Sequence, residues 1–296
     1  VARKVLFLSR KSQKEFYTNE RNKYDGVTAT AFFKETGFGR AILRKLSPSL
    51  VFGDWKNHVT YYDLFIIAAS KYGLEIAKYI RARSDQKIIH WYWNPVDTDV
   101  NPDRIKGYDC EFYSFDQADC MRYGMKYIYP YYFATIQLPP NKLTYDIYFV
   151  GADKGRLKQL LQLKKDFESQ GLHVEYHITQ KLKSSNTLNY VYREEIPYTR
   201  VLEGISKCRA ILDYVQAGQT GLTQRPLEAL FHKKKLITND ININRHDFYN
   251  QNNIFILGKD NIGNLKEFLD APYVEVDRKI IEKYDFGSWI EQITVN

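Results

Sequence analysis

The sequence predicts an α/β protein of two Rossmann-like domains facing a cleft. Two observations carry this. Short apolar runs alternate with segments of helical period through most of the 296 residues, the grammar of parallel strands covered by helices on both faces. That grammar halts once, over 135–144, where T-I-Q-L-P-P-N-K-L-T lacks periodicity and holds Pro139 and Pro140, and then restarts. The expected division is an N-terminal domain over 1–138, a C-terminal domain over 139–276, and a closing helix over 277–296 that returns to the first domain.

In the first half, residues 4–9, 50–54, 62–69, 87–93 and 110–115 are short apolar runs and read as strands. Between them, 71–83 spaces Leu74, Ile76, Ala77 and Ile80 as a helix would, and 116–124 is a shorter helix ending on Gly124. The second half restarts with the strand Y-D-I-Y-F-V-G over 145–151. A helix follows from 156, with Leu157, Leu160, Leu161 and Phe167 on one face and Gly171 beyond its end. Then come a strand over 173–178, a helix over 198–208, a strand over 210–215, a glycine turn with its helix, and a strand over 235–238. The closing segment, 277–293, is helical except for a break at 285–287.

Composition bounds the function. With 44% apolar and 15% aromatic residues, the chain buries one large core or two smaller ones. No apolar run approaches the roughly 20 residues of a membrane span. The opening V-A-R-K-V-L-F-L-S-R is too short in its apolar part for a secretory signal and reads as a first strand. Cys110, Cys120 and Cys208 have no metal-site spacing, so a cytoplasmic protein with reduced thiols is expected. H-E-x-x-H, paired C-x-x-C and G-x-S-x-G are absent, which leaves zinc and serine-hydrolase chemistry without support. Net charge is +8, and residues 1–60 carry 12 Lys and Arg against 5 Asp and Glu, while the rest carry 31 against 30. The basic end favours an anionic partner: membrane surface, nucleic acid or phosphorylated substrate.

The richest segment is 215–240, V-Q-A-G-Q-T-G-L-T-Q-R-P-L-E-A-L-F-H-K-K-K-L-I-T-N-D. Gly218 and Gly221 permit a sharp turn and close approach of a ligand. Thr223 or Gln224 can cap a helix that carries Pro226 in its first turn. Backbone amides at such a start attract phosphate. Glu228, near the same mouth, suits the hydroxyls of a ribose better than the phosphate itself. An ordinary strand-to-helix loop would also use Gly, Thr and Pro. The crowd of polar residues, Gln219, Thr220, Thr223, Gln224 and Arg225, is more than such a loop needs. A second glycine loop, G-A-D-K-G-R over 151–156, is neither G-x-G-x-x-G nor a P-loop. Its Lys154 and Arg156 are placed either to offset a leaving diphosphate or simply to face solvent.

These two segments, with K-K-L-I-T-N over 234–239, resemble the donor half of GT-B glycosyltransferases, in particular bacterial enzymes building lipopolysaccharide, capsule or other surface glycans. The resemblance covers about 145–260 closely and the first half in architecture only. It implies a nucleotide-sugar donor in the C-terminal domain, a UDP-sugar first among them, an acceptor in the N-terminal domain, and no catalytic metal or further cofactor. Donor contacts are implied for Gly151, Lys154, Arg156, Tyr198, Thr220, Gly221, Leu222, Thr223, Arg225 and Glu228. Many retaining members carry two glutamates with seven residues between them. Glu228 matches the second, the ribose ligand, but Thr220 stands at the first, which leaves sugar identity and stereochemistry open.

Acceptor-side candidates lie in the first half. Over 22–40, which follows the first strand, Asp25 or Glu35 could act as general base, or merely cap and solvate. Phe32, Phe33 and Phe38 interleave with Lys34, Arg40, Arg44 and Lys45, a mix that suits either a headgroup-level membrane contact or core packing. The strand over 87–93 carries His90, Trp91 and Trp93, as core residues or as an acceptor platform. Asp97 and Asp99 resemble a metal-binding D-x-D but precede a turn at Asn101 and Pro102, and are set aside. The resulting expectation is a glycosyltransferase acting on a glycan or lipid-linked glycan for bacterial surface polysaccharide, cytoplasmic and peripheral to the membrane, with no nucleic-acid partner. The alternatives are a nucleotide-sugar epimerase of the same architecture and a non-enzymatic nucleotide-sugar or nucleic-acid binding protein.

Overall fold

The computed structural model describes residues 3–10, 15–34, 43, 46–96, 100–180, 189–216 and 221–295. The chain divides into two compact units, residues 1–130 with 286–296 and residues 131–285.

In the first unit, strands β1 (Val5–Ser9), β2 (Val27–Ala31), β3 (Leu64–Ala68), β4 (Lys87–Tyr92), β5 (Glu111–Ser114) and β6 (Lys126–Tyr127) form one parallel sheet. Their order is β2-β1-β3-β4-β5-β6. Every residue of β1 and β3 is buried, which is why both appear in the sequence as unbroken apolar runs. Helices α1 (Glu15–Arg21), α2 (Gly73–Arg81) and α3 (Gln117–Tyr123) connect the strands. α2 buries Ile76, Ala77 and Ile80, the face its spacing predicts. α3 is capped by the Asp116 carboxylate, which accepts from the N–H groups of Ala118 and Asp119, and ends on left-handed Gly124. The terminal helix Phe286–Val295 belongs to this unit, with Phe286 and Trp289 against Phe7 and Trp289 against Trp91.

Two expectations change here. β2 falls inside the stretch read as a loop; as an edge strand it exposes Thr28, and V-T-A-T-A has too little apolar contrast to announce itself. Residues 50–54 are not a strand. Pro48 starts a short 3-10 helix, Pro48–Val51, and only Phe52 pairs, with Phe33.

The second unit repeats the plan. Strands β7 (Tyr145–Ala152), β8 (Val174–Thr179), β9 (Cys208–Asp213), β10 (Lys235–Thr238) and β11 (Ile254–Ile256) pair in parallel in the order β11-β10-β9-β7-β8. Helices α4 (Leu157–Ser169), α5 (Tyr198–Ser206), α6 (Gln224–Phe231), α7 (Leu265–Asp270) and α8 (Arg278–Lys283) complete it. Leu157, Leu160 and Phe167 of α4 pack in one core with Phe149, Val174 and Leu212. β11 and α7 have no counterpart in the sequence reading, because three and six residues are too few to display a period.

The chain crosses between the units at 130/131 and 285/286, not at the proline-rich stretch. Tyr132 donates its N–H to the Tyr284 carbonyl, and the Asp285 carboxylate accepts from the Ala134 N–H at 2.8 Å. Those bonds tie 131–134 to the second unit before the prolines are reached. Within this unit Gly204 of α5 lies against the ring of Tyr148 on β7, so that a Cβ there would overlap the ring. Gly204→Ala is expected to destabilise the protein by about 2–3 kcal/mol through overpacking, read from a denaturant titration; an unchanged midpoint would show that Tyr148 moves freely.

Among the described residues no helix is long and apolar enough to cross a membrane. All three cysteines are free thiols, and burial pushes Cys208 up to about 12.

Candidate functional site

In the second sheet the chain reverses direction of travel at β7, with β8 on one side and β9 on the other. Ligands of open parallel sheets collect beyond the carboxyl ends of the strands at such a switch point. Here those ends are residues 150–153 and 213–215, from which the loop over 151–156 and the segment that begins at 214 set out.

The first loop is committed to itself. Lys154 and Gly155 both take positive φ, 50° and 82°, and reverse the chain between β7 and α4. The Asp153 carboxylate, 3% exposed, accepts from the Leu157 N–H at 2.9 Å and from the Tyr192 hydroxyl at 2.7 Å. An internal anion therefore already occupies the head of α4. Arg156 folds back over the Phe149 ring and donates to the Ala152 carbonyl at 3.2 Å. Gly151 lies beside it: a Cβ there would stand in ordinary contact, 3.4 Å from the guanidinium. Lys154 is exposed.

The second loop differs. Thr223 takes the N-cap position of α6, Pro226 stands in the first turn as the sequence predicts, and Thr223 makes no side-chain cap bond. The first turn carries no acidic residue and holds Arg225. The first turn of α6 thus presents amides and a cation and no carboxylate of its own. Gly221 and Leu222 are buried beneath it; Gly218 and Thr220 lie outside the described residues.

Arg225 is held in place. One guanidinium nitrogen donates to both oxygens of Glu228, at 3.0 and 2.9 Å, and the other to the Val150 carbonyl at 2.7 Å. Glu228 is fully buried, and its carboxylate also accepts from the Tyr198 hydroxyl at 2.8 Å. Tyr198 in turn meets Tyr132, and Tyr132 meets Nε2 of His232, each at 2.8 Å. Tyr198 is half-buried in this network. The ribose role implied for Glu228 would therefore require Tyr198 or Arg225 to yield a bond.

Asp213 closes β9, 5% exposed, beside Arg156, Arg225 and Thr223. Burial pushes its carboxyl up to about 6, while the Thr223 hydroxyl and the two guanidinium groups pull the other way. A carboxyl titrating near neutrality at a switch point is a functional-site signature. Sequence reading missed it, because its burial and neighbours come from three separate segments. It also missed Asn239, whose side chain accepts from and donates to Val215, at 2.7 and 3.1 Å, and so braces the loop after β9.

In the first unit the expected candidates separate. Asp25 precedes β2, where the Gly26 carbonyl accepts from the Val5 N–H. It stands at the amino ends of β1 and β2, the edge opposite the one that gathers ligands, so it is not placed as a general base. The intervening β2 explains the error: only residues after 31 reach the carboxyl edge. His90 is corrected too. It is fully buried in β4, stacked on Phe112, with neither ring nitrogen hydrogen-bonded, and burial pushes it down to about 3. It is a core residue. Trp91 is likewise buried, as are Phe32 and Phe33, which removes those phenylalanines from any membrane contact. Glu35, Phe38, Asp97 and Asp99 lie outside the described residues. Among the described residues no three His, Cys, Asp or Glu side chains gather as a metal site would.

A cavity of about 400 Å³ does open at the carboxyl ends of β1 and β2, lined by Arg10, Glu15, Thr18, Asn19, Thr30 and Asp54 among others. That size falls within the range of small-molecule sites. Its wall is firm: Gly53 N–H donates to the Phe32 carbonyl at 2.9 Å, and the Trp55 indole to the same carbonyl at 3.0 Å. Lys34 pairs with Asp54 at 2.6 Å, which leaves Glu15 as the carboxylate of the lining without a described ion pair. Glu15 was not singled out in the sequence.

No family model and no curated sequence matches the chain. Among solved structures it superimposes on the DNA-modifying enzyme β-glucosyltransferase, solved with and without uridine diphosphoglucose, at a TM-score of 0.55 and 13% identity, over 98% of this chain and 93% of that one. It also superimposes on MnaA of S. aureus in complex with UDP, at 0.52 and 9%, over 99% and 95%. A third match is the UDP-GlcNAc 2-epimerase of Methanocaldococcus jannaschii, at 0.50 and 12%, over 98% of each chain. At such identities the likeness establishes the fold: two Rossmann-like domains of the GT-B type.

Proposed function

We propose that this protein is a glycosyltransferase that moves a sugar from a UDP-sugar to an acceptor hydroxyl, with the donor held by the second unit. The observation that carries this reading is the head of α6, whose first turn holds no acidic residue and fixes Arg225, at the β7–β9 switch point. A donor diphosphate would rest on the amides of 221–224, facing Arg225 and Arg156. As the glycosidic bond breaks, charge grows on that diphosphate, and preorganised cations are worth most there. Two arginines suffice for this without a metal or further cofactor. Glu228 acts by fixing Arg225. Tyr198 holds Glu228, and Gly151 and Lys154 shape the neighbouring loop.

The acceptor would enter the cavity of the first unit, and Glu15, which lines it, would take the hydroxyl proton. A glycan or lipid-linked glycan of bacterial surface polysaccharide remains the acceptor proposed; for a lipid-linked one, the basic N-terminal residues would also favour an anionic membrane. A second acceptor has specific support. The cationic surplus of residues 1–60 lies in the unit assigned to the acceptor, and the β-glucosyltransferase matched above is a DNA-modifying enzyme. A DNA acceptor would reveal itself by transfer that falls steeply with salt.

Calorimetric titration with UDP, GDP, CMP and ADP, with and without manganese, tests the donor assignment. Saturable UDP binding indifferent to manganese is expected; no binding of any nucleotide would sink the proposal. Because two of the matched structures are a UDP complex of MnaA and a UDP-GlcNAc 2-epimerase, incubation with UDP-GlcNAc alone separates the enzymes. An epimerase converts it without an acceptor, whereas a transferase leaves the sugar's configuration intact.

A further inference from the structure

We propose that Tyr132 is a positioning residue for the nucleotide site, acting through a one-way chain of hydrogen bonds from His232 through Tyr132, Tyr198 and Glu228 to Arg225. The inference rests on the donor-site reading above and goes beyond it, since Tyr132 lies outside every glycine loop.

Proton counting sets the direction. The Glu228 carboxylate, ion-paired to Arg225, only accepts. Tyr198 has one hydroxyl proton and gives it to Glu228. The 2.8 Å contact between the two tyrosine oxygens must therefore be filled by the proton of Tyr132. Tyr132 then has none left for its 2.8 Å contact with His232, so it accepts, and the imidazole carries its proton on Nε2. Reversing any one bond would leave a contact with two protons or with none. The chain has a single arrangement, and buried chains of this kind reinforce each member. Burial holds His232 neutral, pushing it down to about 4, with Lys234 acting the same way.

Tyr132 is well suited to anchor such a chain. It is fully buried, with Phe231 and His232 edge-on to its ring. Its N–H is bonded to Tyr284, and it pairs with Asp285, so it sits where both crossings between the units reach the second unit. At the other end, the chain fixes the torsion of Glu228 and through it the plane of the Arg225 guanidinium. A ligand that engages Arg225 thereby acts on 131–134 and 284–285.

UDP is the probe. Tyr132→Phe deletes one oxygen and is expected to weaken UDP binding about 5- to 10-fold, the loss of one buried hydrogen bond. Tyr198→Phe should do the same, and the double variant should be weaker than either single by much less than the product of their effects. In wild type, UDP should slow amide exchange over 131–134; in Tyr132→Phe saturated with UDP, it should not. Nitrogen-15 spectra of wild type should place the His232 proton on Nε2. Wild-type affinity in Tyr132→Phe, multiplicative losses in the double variant, or a proton on Nδ1 would each overturn the proposal. Should Tyr132→Phe fail to fold, Tyr198→Phe and the His232 spectrum decide by themselves. No UDP binding by wild type would sink the donor reading and the positioning role together, whereas normal wild-type binding with unchanged affinity in Tyr132→Phe would sink the positioning role alone.

Discussion

Glu228→Ala should destabilise the second unit by about 3–5 kcal/mol, the usual cost of removing one partner from a buried ion pair. The substitution leaves the Arg225 guanidinium facing a cavity and strips Tyr198 of its acceptor. For a unit of this size that corresponds to a fall in melting temperature on the order of 10 °C, and UDP affinity should fall with it because Arg225 is no longer fixed. Glu228→Gln separates the two effects. It keeps the shape and can still accept from Tyr198, but turns an amide donor toward Arg225 and removes the charge. A smaller loss of stability with a clear loss of UDP binding is expected. If thermal melts of Glu228→Ala matched wild type, Glu228 would not be buried against Arg225 in solution, and a direct ribose contact would regain the field.

The second large effect is on acid stability. His90 is neutral in the folded core down to about 3, while in the unfolded chain it protonates near 6.5. Between those values the unfolded state binds the extra proton, so the stability present above pH 6.5 is lost as pH falls. The loss is about 1.4 kcal/mol per pH unit, or roughly 2 kcal/mol by pH 5. His90→Phe should abolish this part of the slope, and because neither ring nitrogen has a partner, the replacement should not cost a hydrogen bond at neutral pH. The check is a pair of denaturant titrations at pH 7.5 and 5. Equal slopes in wild type and variant would mean that His90 gains a proton without unfolding, through water that reaches the ring. His232 adds a similar term, its folded value pushed down to about 4, and should leave a residual slope in the variant.

Much of the architecture is legible in the residues. β1, β3, β4, β7, β9 and β10 appear as apolar runs because parallel strands covered on both faces need no polar side. The caps of α3 and the glycine after α4 are written in consecutive positions. β2 and β11 are not legible, the one because it lies at an edge and shows a polar face, the other because it is three residues long. The glycine loop at 151–156 and the turn before Gln224 were both readable at strand ends, and the second already stood out by its crowd of polar residues. Only the fold reveals that Asp153 caps its own helix, whereas at α6 the nearby carboxylate, Asp213, comes from the end of β9.

The alternation of strands and helices and the two-unit plan are encoded in the period of neighbouring residues, and are therefore legible without the fold. Which residues reach the carboxyl ends of the strands depends on the fold. The fold puts Asp25 at the amino edge of its sheet, turns Glu228 inward onto Arg225 and seals His90 in the core; it adds Glu15 as a candidate in the first unit and, separately, Asp213, Tyr132 and His232 in the second. The reason is physical: strand order and burial arise from contacts between distant positions, as between Tyr132 and His232, 100 residues apart, and no local pattern records them.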